Sequence, residues 1–140
     1  MFQDGMKMSG KLTILLNDEV VREIDNLVVT AGKGFVASRM IGTSANVMSH
    51  MAVGSGSTAA AAGDTALGSE LGRTTTSASA SGAVVTYSST FAAGTGTGAV
   101  TEAGILNASS SGTMLCRTVF SVVNKGASDS MTVSWTVTVS

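Results

Sequence analysis

The groups that could do chemistry in this chain are few. His50 is the only histidine, so a Ser-His-Asp triad would have to be built around it. It stands between Ser49 and Met51 in a short extended-looking run with no catalytic signature, and a structural or surface role is expected. Cys116 is the only cysteine. It lies in a strand of mixed apolar residues, where a small core filler is expected rather than a nucleophile. One His and one Cys cannot supply a zinc cage, and the nine acidic residues are scattered, so no metal or other cofactor is expected. The densest acidic positions, Asp18-Glu19 and Glu23-Asp25, lie beside Arg22 and read as solvated faces.

Two glycine-rich stretches invite comparison with phosphate loops. Gly54-Ser55-Gly56-Ser57-Thr58 lacks the Gly-Lys-Ser/Thr ending of a P-loop, and Gly32-Lys33-Gly34 runs into Phe35. Gly94-Thr95-Gly96-Thr97-Gly98-Ala99 matches the letters of a dinucleotide fingerprint, but a strand rather than a helix is expected after it, so it reads as a loop. Asn107-Ala108-Ser109 is a glycosylation triplet, meaningful only on a secretory route. An enzyme such as a glycan hydrolase would need paired carboxylates in a cleft. The chain is therefore expected to be no enzyme.

Charge excludes further classes. Charged residues make up 12% of the chain and the net charge is -1, so there is no basic stripe to neutralise phosphates and no nucleic-acid partner is expected. A weakly charged surface gives copies little mutual repulsion, which suits an assembly. The lone cysteine excludes an internal disulfide, the first residues lack a signal-peptide pattern, and no apolar run approaches the length of about 20 residues that crosses a bilayer. A soluble protein made in a reducing cytosol, with no membrane or small-molecule partner, is expected.

The elements that must position these groups are extended. Ala, Ser, Thr and Gly account for 73 of 140 residues, so large apolar side chains are placed economically. In Lys11–Leu16, Leu12, Ile14 and Leu16 alternate, and the turn residues Asn17-Asp18 lead into Glu19–Thr30. The first half of that run could be an amphipathic helix with Val20, Ile24 and Leu27 on one face; the β-branched Val28-Val29-Thr30 favours a strand and hence a hairpin. Residues 31–41 are spaced as a helix, with Gly42 placed to end it. Met48–Val53 is a short candidate strand, followed by a small-residue loop with a helical turn expected near Asp64–Leu71, Asp64 as its N-cap. From Arg73 onward the composition turns to Thr, Ser, Ala and Gly. Val85, Tyr87 and Phe91 mark one strand, and Ala99–Leu106 another. Thr113–Val123 carries large residues on both faces, as a central strand would. In Met131–Val139, Met131, Val133, Trp135, Val137 and Val139 alternate with Thr132, Ser134, Thr136 and Thr138, the clearest half-buried strand of the chain. The alternation assigns Tyr87, Phe91 and Trp135 to the core, leaving no aromatic platform for a carbohydrate-binding module.

About eight short strands with one early helix predict an all-β chain, an antiparallel β-sandwich or jelly roll. Its organisation is expected to be a flexible N-terminal arm over residues 1–10 and a single β-sandwich (jelly-roll) domain over 11–140. With no proline and few charges, its strand edges are unguarded, so they must be hidden or used.

Several separated blocks carry a resemblance: Asn26–Lys33 (NLVVTAGK), Ala37-Ser38-Arg39-Met40, Met48–Gly56 (MSHMAVGSG), Asp64-Thr65-Ala66-Leu67, Thr101–Ile105 (TEAGI) and Val123–Ala127 (VNKGA). In this order, over most of the chain from Lys11 onward, they resemble small structural proteins of tailed-bacteriophage virions, and among these the head-decoration (cement) proteins of short-tailed phages. The resemblance implies a non-enzymatic virion protein on the capsid surface. It would bind the major capsid protein and itself, as a homodimer or trimer, and stabilise the head against DNA pressure. Similar blocks occur in tail-fibre and tail-adaptor modules, which would contact the tail or a host receptor. Cementing would place partner contacts in the N-terminal arm, at Met1, Phe2, Gln3, Asp4, Met6, Lys7 and Met8, and in the Gly/Ser/Ala loops, since mobile segments order readily on a partner.

Overall fold

The computed structural model describes residues 5–42 and 46–140. Among these residues the order of elements is β1 (Met8–Leu16), β2 (Glu19–Val28), α1 (Thr30–Met40), β3 (His50–Gly54), β4 (Glu70–Thr75), β5 (Ser77–Ser81), β6 (Val84–Phe91), β7 (Gly98–Leu106), β8 (Met114–Lys125) and β9 (Met131–Val139). The strands form one antiparallel sheet in the order β4-β3-β7-β8-β2-β1-β9-β6-β5. The all-β class and the single early helix are those read from the sequence.

The sandwich-like shape comes from folding this one sheet upon itself. Strand β2 pairs with β1 along most of its length but with β8 only at Leu27↔Arg117 and Val28↔Cys116, so the sheet turns a corner there. Where β2 and β8 diverge, the Arg22 guanidinium bridges them, donating to the Ser121 and Val122 carbonyls at 3.0 and 2.7 Å. At the opposite seam the chain passes from β4, which borders β3, into β5, which borders β6. Thr76 N–H donates to the Ser49 carbonyl and Ser89 Oγ to the Thr75 carbonyl, bringing the two ends together. The sheet is thus nearly closed into a flattened barrel, which removes most of its edge.

Both halves of the sheet contribute to one core. Leu12, Ile14, Phe91, Val133 and Trp135 from one half meet Met51, Val53, Val100, Ile105 and Cys116 from the other. Strand β9 alternates as its sequence demands, with Met131, Val133, Trp135 and Val137 buried and the Thr/Ser set between them partly exposed. Strand β8 is buried on both faces over Met114–Thr118 because α1 lies against it. A β-carbon at Gly32 would overlap the Leu115 carbonyl, so glycine allows this close approach. The helix ends at Gly42 with φ +67°, a backbone conformation suited to glycine. Asn17 (φ 49°) and Asp18 (φ 69°) form the two-residue hairpin turn between β1 and β2.

Two expectations are corrected. Strand β1 begins at Met8, which pairs with Val139, and Lys7 exchanges two backbone hydrogen bonds with Ser140 at 2.7 and 2.8 Å. Residues 7–10 are therefore tied to the sheet rather than part of a loose arm. No helical turn forms between Asp64 and Leu71; the chain there bends and enters β4 at Glu70. Asp64 instead accepts the Ala61 N–H at 2.9 Å. In addition, β4 (ELGRTT) and β5 (SASAS) are strands in a stretch to which the sequence pattern assigned no strand.

Candidate functional site

The densest polar constellation lies where β7 and β8 run side by side. In β7, Val100, Ala103 and Ile105 are buried, and Glu102 stands among them with no exposed surface. Arg117, two positions away across the ladder on β8, is 3% exposed. Glu102 Oε1 accepts from Arg117 Nε and Nη2 at 3.1 and 2.9 Å and from Gly68 N–H at 2.8 Å. Its Oε2 accepts from Gly56 and Ser69 N–H at 2.6 and 2.8 Å. Arg117 continues the chain of contacts, donating from Nη1 to Asp64 Oδ2 at 2.8 Å and from Nη2 to the Thr58 carbonyl at 3.0 Å. Thr101 Oγ1 adds a bond to the Gly56 carbonyl.

Every one of these partners outside the two strands belongs to residues 56–69, the long small-residue connection between β3 and β4. That loop has few apolar side chains with which to pack, so its backbone amides are held by a buried carboxylate. Burial pushes the Glu102 carboxyl up, but the hydrogen bonds from Gly68, Ser69, Arg117 and Gly56 outweigh it and hold the group below the usual carboxylate range. The Asp64 carboxyl is lowered by the Ala61 amide, against burial, and by Arg117. A carboxylate already accepting five hydrogen bonds has little capacity left to take a substrate proton. The arrangement acts as a clamp on the loop.

The other candidates are dispersed. Met1, Phe2, Gln3 and Asp4 lie outside the described residues. Met6 is 78% exposed. It lines a groove of about 430 Å³ together with Lys7, Met8, Lys33 and Val36, so the structure brings the three described members of the contact set together against α1. At the end of α1, Met40 and Ile41 are 82% and 80% exposed. His50 is half-buried at the start of β3, its Nδ1 2.8 Å from the hydroxyl of the adjacent Ser49. The Cys116 thiol is fully buried and burial pushes its pKa up, away from thiolate chemistry. Asn107 uses its side chain internally, accepting from Thr113 N–H and donating to the Asn46 carbonyl. Among the described residues no group of three or more His, Cys, Asp or Glu side chains could hold a metal ion, and no helix is long and apolar enough to cross a membrane.

Sequence reasoning did not find the Glu102–Arg117–Asp64 network. A signal was present: single charges set inside otherwise apolar strands, in a chain this poor in charge, must meet a partner. Which partner they meet depends on the β7–β8 register. No family model, curated protein or solved structure matches this chain.

Proposed function

We propose that this protein is a structural component of a tailed-phage particle that binds the outside of the capsid and cements neighbouring subunits. The observation that carries the reading is the set of large apolar side chains left exposed at Met6, beside the groove against α1, and at Met40 and Ile41, at the end of α1. Large methionine and isoleucine side chains held in water favour a protein partner. Lys7 and Lys33 flank the groove, so a partner surface that is apolar with an acidic border is favoured. The resemblance in the sequence blocks points to the major capsid protein as that partner. The head supplies the mechanism: a bridge across capsomers adds buried interface that expansion would have to break, and lattice repetition multiplies weak contacts.

Quantitative mass spectrometry of purified particles tests this. Copy number comparable to that of the major capsid protein is expected, with Met40→Asp lowering occupancy while leaving the domain folded. A copy number far below that of the capsid protein would favour a tail-fibre or tail-adaptor module.

A further inference from the structure

The sheet ends at β5, whose second edge pairs with no strand among the described residues. All five of its residues are exposed. Ala78 and Ala80 are in register with Tyr87 and Val85 of β6, which face the core, yet neither alanine is covered; the core stops at β6 and β5 overhangs it. Native edges are usually protected by proline, charge or bulges. Here residues 74–101 contain no Asp, Glu, Lys, Arg, His or Pro, and β5 pairs with β6 through five consecutive residues without a register shift.

The edge is also self-complementary. Ser77-Ala78-Ser79-Ala80-Ser81 reads the same in both directions. An antiparallel pairing with a second copy about a two-fold axis at Ser79 sets Ser77 against Ser81, Ala78 against Ala80, and Ser79 against itself. Serines then meet on the outer face and alanines on the inner one, as a symmetric interface requires. Small side chains leave the backbones free to reach ladder spacing, and the absence of charge removes like-charge opposition across the axis.

We propose that β5 is a dimerisation edge, through which two copies of this chain join their sheets by antiparallel β5–β5 pairing centred on Ser79. It goes beyond the capsid reading and stands apart from it, because it concerns the free protein in solution. Two substitutions at this exposed position test it. Cysteines directly opposite in an antiparallel pair fall within disulfide reach, so Ser79→Cys, in a chain whose native Cys116 is buried, is expected to give a covalent dimer under mild oxidation. Ser79→Lys places two like charges at the axis and is expected to weaken self-association by about tenfold or more in sedimentation velocity, with an unchanged circular dichroism spectrum. A wild-type chain that stays monomeric at high concentration would overturn the proposal. So would a dimer that survives Ser79→Lys and shows no cross-link in the Ser79→Cys protein, since its interface would lie elsewhere.

Discussion

At the residue scale, the buried ions carry the sharpest expectations. Glu102→Gln removes the negative charge beside Arg117, which is 3% exposed and keeps Asp64 as its remaining ionic partner, so a loss below the roughly 3–5 kcal/mol of a fully stranded buried partner is expected. Chemical denaturation should show that loss, and Arg117→Met added to Glu102→Gln should recover part of it. The same pair sets the acid response. Folded-state pKa values of Glu102 and Asp64 lie below their unfolded values, so their contribution is complete above the ordinary carboxylate range of about 4 to 4.5 and is lost as pH falls through the folded values. Melting temperature should therefore hold from neutral pH down to about 5 and drop below that, with residues 56–69 the first to gain amide exchange. In the Glu102→Gln protein that drop should be smaller. Trp135 offers a contrast: it is fully buried, yet its Nε1 has no hydrogen-bond partner. Trp135→Ala should cost about 3–5 kcal/mol through the cavity, and Trp135→Phe should cost much less, since no hydrogen bond is lost. Equilibrium unfolding of the two variants makes the comparison.

At the element scale, α1 and β1 show how small residues decide packing. Gly32→Ala would drive a methyl group into the Leu115 carbonyl, so the helix must lift from β8; a loss of about 1–3 kcal/mol is expected by thermal unfolding. Strand β1 depends on Gly10 in the same way, because the Asn26 side chain occupies the space where a β-carbon would sit. Truncation distinguishes sheet from tail. A chain starting at Gly5 keeps the Lys7–Ser140 and Met8↔Val139 pairings, whereas one starting at Ser9 loses both and should unfold at lower denaturant. Equal midpoints for the two truncations would show that these pairings contribute nothing to stability.

At the scale of the whole molecule, one sheet nearly closes, with β5 overhanging the core. The pairings β1–β9, β2–β8, β3–β7 and β6–β9 join strands far apart in order, so most contacts are long-range in sequence, and folding on the slow side for the chain's length is expected in stopped-flow refolding. The outer face over β6 and β9 is a field of hydroxyls: Thr86, Ser88 and Thr90 lie in register with Thr136, Ser134 and Thr132. It differs in character from the exposed apolar side chains of Met6, Met40 and Ile41.

Much of this was legible in the chain before folding. Period-two alternation in Met131–Val139 fixes both the strand and the burial of Trp135, because a pleated backbone sends alternate side chains to opposite faces. Asn17-Asp18 fixes the hairpin, since these residues tolerate the positive φ that a two-residue turn needs. Strands β4 and β5 were not legible: Glu70–Thr75 has a single large apolar residue, Leu71, and Ser77–Ser81 is only Ser and Ala, so neither carries a hydrophobic pattern, and their pairing is decided by the neighbours β3 and β6 that the fold delivers. Nor could spacing in the sequence show that Glu102 meets Arg117 and, through it, Asp64. Tertiary register alone places those charges together, where mutual hydrogen bonding offsets the cost of removing them from water.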